Sequence, residues 1–253
     1  MTEARNPVKS VRTTARILRA LKELDSAGVT ELSERLGLTK GTVHNHLSTL
    51  EENEFVVRDG EKYRLGILFF EFGEQTKRAK KIYGVGVPEV EKLADRTDEL
   101  ASLLIEEHGR GIYLHRARGE QALTLDTRIG ARVYLHNTGL GKAILAHLPR
   151  ERTERILDRH GLPRTTENTI DSRDALFEEL DRVRERGYAI DDEERATGIR
   201  CVAAPVTTSD GAVHGAVSVA GPTSRIKGDR LETAIPDLVQ NAANVISINL
   251  TYS

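Results

Sequence analysis

Residues 39–57, TKGTVHNHLSTLEENEFVV, decide how the N-terminal part of the chain is interpreted. Thr39 is a residue type that caps helices, and apolar residues recur after it at helical spacing as far as Leu50. The stretch therefore predicts a helix with one apolar face. The run 55–57, FVV, is typical of a strand. A short amphipathic helix followed by a strand is an arrangement that proteins use to read DNA.

The two histidines of this stretch raise the alternative of a metal site. A metal-binding pair on one helix face needs a spacing of four residues, whereas His44 and His46 are two residues apart. In a helical projection His44 points outward beside Asn45, and His46 lies on the shoulder of the apolar face. The spacing therefore favours DNA reading over metal binding, and we expect no metal here.

Residues 1–65 as a whole predict a winged helix-turn-helix domain. Helical spacing predicts one helix over 11–24 and a second that begins at Thr30 and ends at Gly37, a residue suited to the left-handed conformation. After the strand at 55–57, Asp59-Gly60 is a strong hairpin signal and leads to a return strand at 63–65. This order of helices, turn and hairpin is typical of winged DNA-binding domains.

The exposed side of the third helix carries residue types that read the major groove. Asn45 can form two hydrogen bonds with adenine, and Lys40 and His44 can reach guanine or phosphate. The DNA-binding residues that we expect are Thr39, Lys40, Gly41, Thr42, His44 and Asn45 on the helix, and Arg58, Lys62 and Arg64 on the hairpin. Winged domains also bind proteins, and the pattern leaves that alternative open.

Residues 66–81 predict a linker helix that is apolar at its start and basic at its end, and Gly84, Gly86 and Pro88 predict where it stops. Its apolar face suits packing on a partner chain or on its own winged domain. Strand pairs and helices in residues 82–253 predict an α+β domain with a largely antiparallel sheet. Expected strands are 102–106, 112–115, 121–128, 131–135, 200–206 and 213–219. Expected helices are 88–101, 138–147, 150–159, 172–186 and 229–249, the last interrupted by Pro236.

The composition limits the class of protein. A chain of 253 residues with 38% apolar and 30% charged residues suits two soluble domains. It has no apolar run of membrane-spanning length and no apolar core of a secretion signal, so we expect a cytoplasmic protein. Its single cysteine, Cys201, excludes a cysteine-rich zinc site. Basic residues exceed acidic ones in 1–81 and the balance reverses in 82–253, which fits nucleic-acid contact by the first part.

Three patterns invite a catalytic or cofactor interpretation, and each is incomplete. Residues 138–143, TGLGKA, lack the first glycine of a phosphate-binding loop and the hydroxyl after its lysine. The acidic run 191–194 suits a solvated loop more than a cation site, and Cys201 has no local activating group. We therefore expect no enzyme activity and no cofactor. An enzyme that acts on a small organic acid is the alternative.

Gly139 and Gly141 nevertheless suggest a site for an anion. Glycines at a helix start expose backbone amides at the positive end of the helix dipole, where a carboxylate or phosphate of a small ligand can bind. Tight packing of the helix start explains the same two glycines equally well.

Four stretches make the chain resemble the IclR family of transcriptional regulators. They are LGLTKGTV and LSTL within 36–50, YRLG at 63–66, LHNTGLGKAILA at 135–146, and RGYAID, GIRCVAAPV and AVSVAGP within 186–222. The resemblance implies a winged helix, a linker helix that helps form dimers, and a GAF-like effector-binding domain. It implies a homodimer or homotetramer that binds promoter DNA and responds to a small metabolite, often a carboxylate. Two recognition helices in a dimer predict a near-palindromic operator, with half-sites about 34 Å apart.

The resemblance also implies where the effector binds. The amides at 139–141 would take a carboxylate, Asp191 and Ser218 would bond hydroxyls, and Leu125 and Val133 would line the apolar side. The expected effector residues are Leu125, Val133, Gly139, Leu140, Gly141, Asp191, Cys201 and Ser218. Three positions depart from the family pattern: Asn45 stands where arginine is frequent, His46 where leucine is usual, and Ala220 where a second serine is frequent. Base preference and effector identity are therefore left open.

Overall fold

The computed structural model describes residues 5–124 and 127–252, and the chain divides into two compact units, Met1–Ala79 and Lys80–Ser253. The elements of the N-terminal unit are α1 (Lys9–Leu24), β1 (Ala27–Gly28), α2 (Val29–Leu36), α3 (Lys40–Glu52), β2 (Val56–Asp59), β3 (Lys62–Leu65) and α4 (Leu68–Arg78). Ile17, Leu21, Leu32 and Leu47 are fully buried between the helices. The predicted order of helices, turn and hairpin is confirmed.

Two details of this unit differ from the expectation. Thr30 does not cap the second helix, which begins at Val29 with Gly28 as a cap residue that provides no side-chain hydrogen bond. Residues Ala27 and Gly28 pair with Tyr63 and Lys62, which makes the wing a three-stranded antiparallel sheet. A strand of two residues is too short to show alternation in sequence. Gly37 ends α2 in the left-handed conformation, φ 62°, as predicted.

The expected break at Gly84, Gly86 and Pro88 is wrong. These residues lie inside a 17-residue helix, α5 (Lys81–Thr97), which begins after α4 has ended. At Gly86 a Cβ atom would lie 2.9 Å from the Leu103 side chain, so the glycine lets α5 lie close against the sheet. Ile82, Val90 and Leu93 are buried on the same helix. This burial outweighs the poor helix propensity of the three residues.

The C-terminal unit is built on a six-stranded antiparallel sheet with helices on both faces. Its remaining elements are β4 (Leu100–Glu107), β5 (Arg110–Arg118), β6 (Arg132–Val133), α6 (Gly139–His147), α7 (Arg150–His160), α8 (Arg173–Arg186), β7 (Ala189–Asp192), β8 (Ile199–Thr207), β9 (Val213–Pro222), a π-helical turn (Arg230–Ala234) and α9 (Ile235–Thr251). The strand order is β6-β5-β4-β9-β8-β7. The predicted α+β class with an antiparallel sheet is confirmed.

Successive residues of the central strands face opposite sides of this sheet. Leu103 and Val217 point into a core with α5 and α9, and Leu104 and Ala216 point into a core with α6 and α8. Both faces are therefore buried. The site described below lies on the α6 face.

Two expected strands of this unit are wrong, and one strand was missed. The described residues of 121–128 form no strand, and 131–135 contributes the two-residue strand β6 alone. Residues 189–192 form β7, which the sequence did not predict. The helix expected over 229–249 does change at Pro236, because residues 230–234 form the π-helical turn and α9 begins at Ile235, with Pro236 in its first turn. Among the described residues, no helix is both long enough and apolar enough to cross a membrane.

Candidate functional site

The start of α3 presents a polar surface. The Thr42 amide donates to Thr39 Oγ1 at 3.1 Å, so Thr39 caps the helix as expected. Val43, Leu47 and Leu50 are the buried residues of α3. The side chains left exposed on its first two turns belong to Lys40, His44 and Asn45, with Gly41 beside them.

The two histidines of α3 have different environments. His46 is half-buried, and its Nδ1 lies 2.9 Å from Thr14 Oγ1, so it ties α3 to α1. His44 is exposed on the other side. The described residues include no group of three or more metal-ligating side chains that could hold an ion. The two histidines thus have different roles, and they do not lie together as a metal-binding pair would.

The basic residues of the wing do not form one cluster. Arg58 lies beside Tyr63, with its Cζ 5.8 Å from the ring centre and its Nε donating to the Gly60 carbonyl at 2.9 Å. Arg58, Lys62 and His44 line a groove of about 490 Å³ next to the start of α2. Glu31 and Glu61 line it too, so its charge is mixed. Arg64 is exposed but does not line this groove.

A cavity of about 210 Å³ lies at one end of the six-stranded sheet, on the α6 face. Leu140, Asp191, Cys201 and Ser218, four of the expected effector residues, line it. The pairing of residues between the strands explains why there is room for a cavity between the sheet and α6. Ser102 pairs with Ser218, and Leu100 and Cys201 both pair with Ala220, so mostly small side chains face α6 here.

The other expected effector residues do not line this cavity. Val133 is buried in the core on the α6 face. A Cβ on Gly139 would lie 3.3 Å from Cys201 Sγ, and one on Gly141 would lie 2.1 Å from the Leu135 carbonyl oxygen, so both glycines let α6 pack tightly. Leu125 lies outside the described residues.

The amides at the start of α6 are not equivalent. The Gly141 amide donates to Thr138 Oγ1 at 3.0 Å, which occupies it. The Gly139 and Leu140 amides form no hydrogen bond with any part of the chain that the structure describes. The expected amide site is therefore reduced to these two groups, and Leu140 lines the cavity.

Asp191 carries a perturbed carboxyl group at the cavity. Its Oδ1 accepts from the amides of Glu194 and Arg195, at 2.8 and 3.3 Å. Burial, together with the nearby Glu194 carboxylate, raises the pKa of Asp191 to about 7. Burial and the Asp191 carboxylate raise the pKa of Cys201 to about 12, so this thiol is not ionised at neutral pH. A neutral buried thiol is a poor nucleophile.

Three cavity residues, Tyr113, Arg116 and Arg195, were not expected from the sequence. The Cζ atoms of Arg116 and Arg195 lie 5.0 and 6.0 Å from the centre of the Tyr113 ring. Arg116 Nε donates to Ser102 Oγ at 3.4 Å, and its Nη1 donates to the Thr127 carbonyl. Within the described ranges, neither guanidinium forms an ion pair with an acidic side chain. The alternation of β5 could have indicated Arg116, but nothing local distinguishes Arg195.

The lysine of the TGLGKA run does not face a ligand. Lys142 is 1% exposed, and its Nζ forms ion pairs with Glu194 and, at 3.6 Å, with Glu179. Glu194 and Asp191 are both buried, so the expectation of a solvated acidic loop is wrong for two of its four members. Lys142 thus has a structural role behind the cavity.

The model of the IclR helix-turn-helix domain matches residues 10–60, and that of the bacterial transcriptional regulator IclR C-terminal domain matches residues 77–248. The probable HTH-type transcriptional regulator ArcR of Halobacterium salinarum is 36% identical over 96% of this chain and 94% of its own length. The HTH-type transcriptional regulator KdgR of Escherichia coli is 34% identical over 97% and 94%.

A solved structure shows the same fold. It is an IclR homolog complexed with 4-hydroxybenzoate, from Microbacterium hydrocarbonoxydans, with a TM-score of 0.82 and 23% identity over 97% of this chain and 100% of that one. The named relatives are transcriptional regulators, not enzymes. Two family models in the expected order, with relatives that match along nearly the whole length, show that the chain belongs to the IclR family of DNA-binding transcriptional regulators with a C-terminal effector-binding domain.

Proposed function

We propose that this regulator binds a near-palindromic promoter site as a homodimer or homotetramer, and that a small carboxylate in the C-terminal cavity controls this binding. Residues 1–65 are the DNA-binding part, 66–81 the linker and 82–253 the effector-binding part. The observation that carries the proposal is the convergence of Leu140, Asp191, Cys201 and Ser218 on one cavity.

On DNA, α3 enters the major groove with its exposed first turns. Asn45 and His44 reach base edges, and Lys40 reaches a base or a phosphate. Their exposure, together with the buried stripe through Val43 and Leu47 that holds α3 in the domain, supports this assignment. Arg58 supports it from the wing, where it lines a groove together with His44.

The effector acts through a difference in its affinity for two states of the protein. A ligand that binds both states equally shifts nothing, so the cavity must differ between the DNA-bound and the released states. The ligand of the homologue from Microbacterium hydrocarbonoxydans, 4-hydroxybenzoate, is itself a carboxylate. This is consistent with an acid as the effector here.

Asn45→Ala tests the DNA-reading role of α3. Loss of the two hydrogen bonds to adenine costs about 1–3 kcal/mol of binding free energy and relaxes the preference at one base position. Sequencing the genomic fragments that the protein retains gives the operator, and titration of that operator gives the affinity. Glu52→Ala, at the exposed far end of the same helix, is the matched control. Unchanged affinity and preference in Asn45→Ala would exclude this role.

Arg58→Ala and Arg64→Ala, a matched pair on the wing, test which cation meets phosphate. Arg58 lines the groove beside α3 and Arg64 does not. We expect Arg58→Ala to weaken binding to all sequences alike and to reduce the slope of log affinity against log salt by about 1. Arg64→Ala should change that slope less. Equal slopes in the two variants would contradict the assignment.

A further inference from the structure

Arg116 and Arg195 both line the cavity. Both are half-buried beside the Tyr113 ring, and no acidic side chain of the described residues forms an ion pair with either. Burial lowers the pKa of Arg116, and the charge of Arg195 lowers it further. Two like charges that are partly shielded from water repel each other, and an anion between them offsets this repulsion. The pair is therefore complementary to an acidic group of the ligand.

The cavity offers a second place for an acidic group, on its other side. The Leu140 amide, which forms no hydrogen bond with the described residues, lies at the start of α6, and Gly139 beside it packs against Cys201 on β8. Arg116 lies on β5, and β4 and β9 separate the two strands. The backbones of β5 and β8 are three strand spacings of about 4.8 Å apart, or about 14 Å. The Arg116 side chain shortens the distance between the two binding places. A short ligand can touch both places at once.

The charges around the cavity favour two negative groups over one. Arg116 and Arg195 are positive, whereas the thiol of Cys201 is neutral. Asp191 can accept a proton near neutral pH, which removes the negative charge that it otherwise places in the cavity. Lys142 does not contribute a free charge, because Glu194 and Glu179 pair with it. A ligand with one acidic group leaves part of this positive charge unmatched.

We propose that the effector carries two acidic groups, one bound by the guanidiniums of Arg116 and Arg195 and one by the Leu140 amide at the start of α6. It is then a short dicarboxylate or a phosphorylated carboxylate that fits about 210 Å³. This inference rests on the proposed function, because it names the chemical class of the ligand for the same cavity. Ser102, Ser218 and Thr138 provide hydroxyls for the middle of the ligand.

The test compares each acid with a partner that lacks one charge. Calorimetry and melting curves of the full-length protein are measured with the dicarboxylates from malonate to adipate, and with succinamate and glutaramate as monoamides. Phosphoglycolate against glycolate forms the phosphorylated arm. All samples have the same ionic strength. We expect at least one diacid or phosphorylated acid to bind roughly 10- to 100-fold more tightly than its singly charged partner, as the loss of a charge-assisted contact predicts.

Variants of the two arginines identify where the second charge binds. We expect each glutamine variant, Arg116→Gln or Arg195→Gln, to bind the doubly charged acid and its singly charged partner with equal affinity. The lysine variants, Arg116→Lys and Arg195→Lys, should keep part of the preference for the doubly charged acid. Arg155→Gln removes an exposed arginine of α7 and should keep the full preference. The melting temperature of each variant without ligand shows whether it folds, and the lysine variants keep the test valid if a glutamine variant does not.

The possible failures are distinguishable. If singly charged acids bind as well as their diacids, or if the preference persists in both glutamine variants, the two-acid inference is overturned. If a singly charged acid still releases the protein from its operator, the proposed function stands. If no acid of either arm binds, the two-acid inference fails, and the proposed carboxylate control fails with it.

Discussion

At Asp191, burial and hydrogen bonding act in opposite directions on one carboxyl group. Two backbone amides donate to Oδ1 and stabilise the charged form, whereas burial and the Glu194 carboxylate favour the neutral form. Burial dominates, and the pKa reaches about 7, far above the ordinary value of 3.8. The protonation state of this residue therefore changes within the physiological range of pH.

Asp191→Asn tests this pKa through the stability of the protein. Between about pH 4 and pH 7 the folded state retains a proton that the unfolded state releases, so the stabilisation by this proton is full below pH 4 and is lost as pH rises through 7. Asparagine lacks this dependence. We expect the free energy of unfolding of Asp191→Asn, relative to the wild type, to rise by on the order of 2 kcal/mol between pH 5 and pH 8.

Urea titrations at a series of pH values measure this difference. The charged and titratable groups near Asp191 are those of Glu194, Lys142, Arg195, Cys201 and Tyr113, and they are present in both proteins. Stability curves that run parallel across the whole range would contradict the raised pKa.

The cavity shows how far residue-level prediction from sequence can go. Asp191, Cys201 and Ser218 were identified through the family resemblance, because no local pattern marks them. Arg116 and Arg195 were missed because they meet only when β5 and the segment between β7 and β8 reach the same end of the sheet. The glycines of α6 were ambiguous, since tight packing and anion binding demand the same residue type.

Among the elements, helices with a local cap and an apolar stripe were predicted best, and the two-residue strands worst. Helix α3 follows from its cap and its apolar stripe, which are local features. For α5, a break was wrongly predicted at its glycines and its proline, because the sheet that stabilises this helix is formed by residues distant in the sequence. Strands β1 and β6 have two residues each and exist through their pairing partners. Tertiary contacts therefore decided the elements that sequence patterns missed.

Helix α6 depends on a buried ion pair behind the cavity. Lys142 pairs with Glu194 and Glu179, and Glu179 also pairs with Arg182 and Arg186. We expect Lys142→Met to destabilise the protein by about 3–5 kcal/mol, because Glu194 is left buried without a cation. Lys142→Met combined with Glu194→Gln should recover much of that loss. Urea unfolding of both variants measures it, and wild-type stability in the single variant would contradict the structural role of Lys142.

At the scale of the whole molecule, the apolar face of α4 packs partly on its own wing and remains partly exposed. Phe69 and Phe72 lie 5.5 and 6.0 Å from Phe55 between ring centres, so one side of α4 packs on its own wing. Ile67 and Phe70 remain 83% and 65% exposed beside a groove of about 600 Å³. Large apolar side chains that cluster on a surface mark an interaction site. We therefore infer that α4 contacts a second copy of the chain in the proposed dimer.

Phe70→Ser tests this assembly. Loss of the aromatic ring removes apolar area from the proposed contact, so we expect the molar mass measured by light scattering to shift toward the monomer and the affinity for a two-half-site operator to fall. Ile129→Ser replaces an apolar residue that is 52% exposed in the C-terminal unit and is the control. A mass that is unchanged in Phe70→Ser and in Ile67→Ser would place the subunit contact elsewhere.

The position of Tyr113 has a practical consequence. The chain contains six tyrosines and no tryptophan, so its ultraviolet emission comes from phenol rings alone. Tyr113 lies in the cavity beside two guanidiniums, and an anion that engages them alters the surroundings of this ring. Subtracting the spectrum of Tyr113→Phe isolates its signal from those of the other five. Unlabelled protein thus carries its own optical reporter of whether the cavity is occupied.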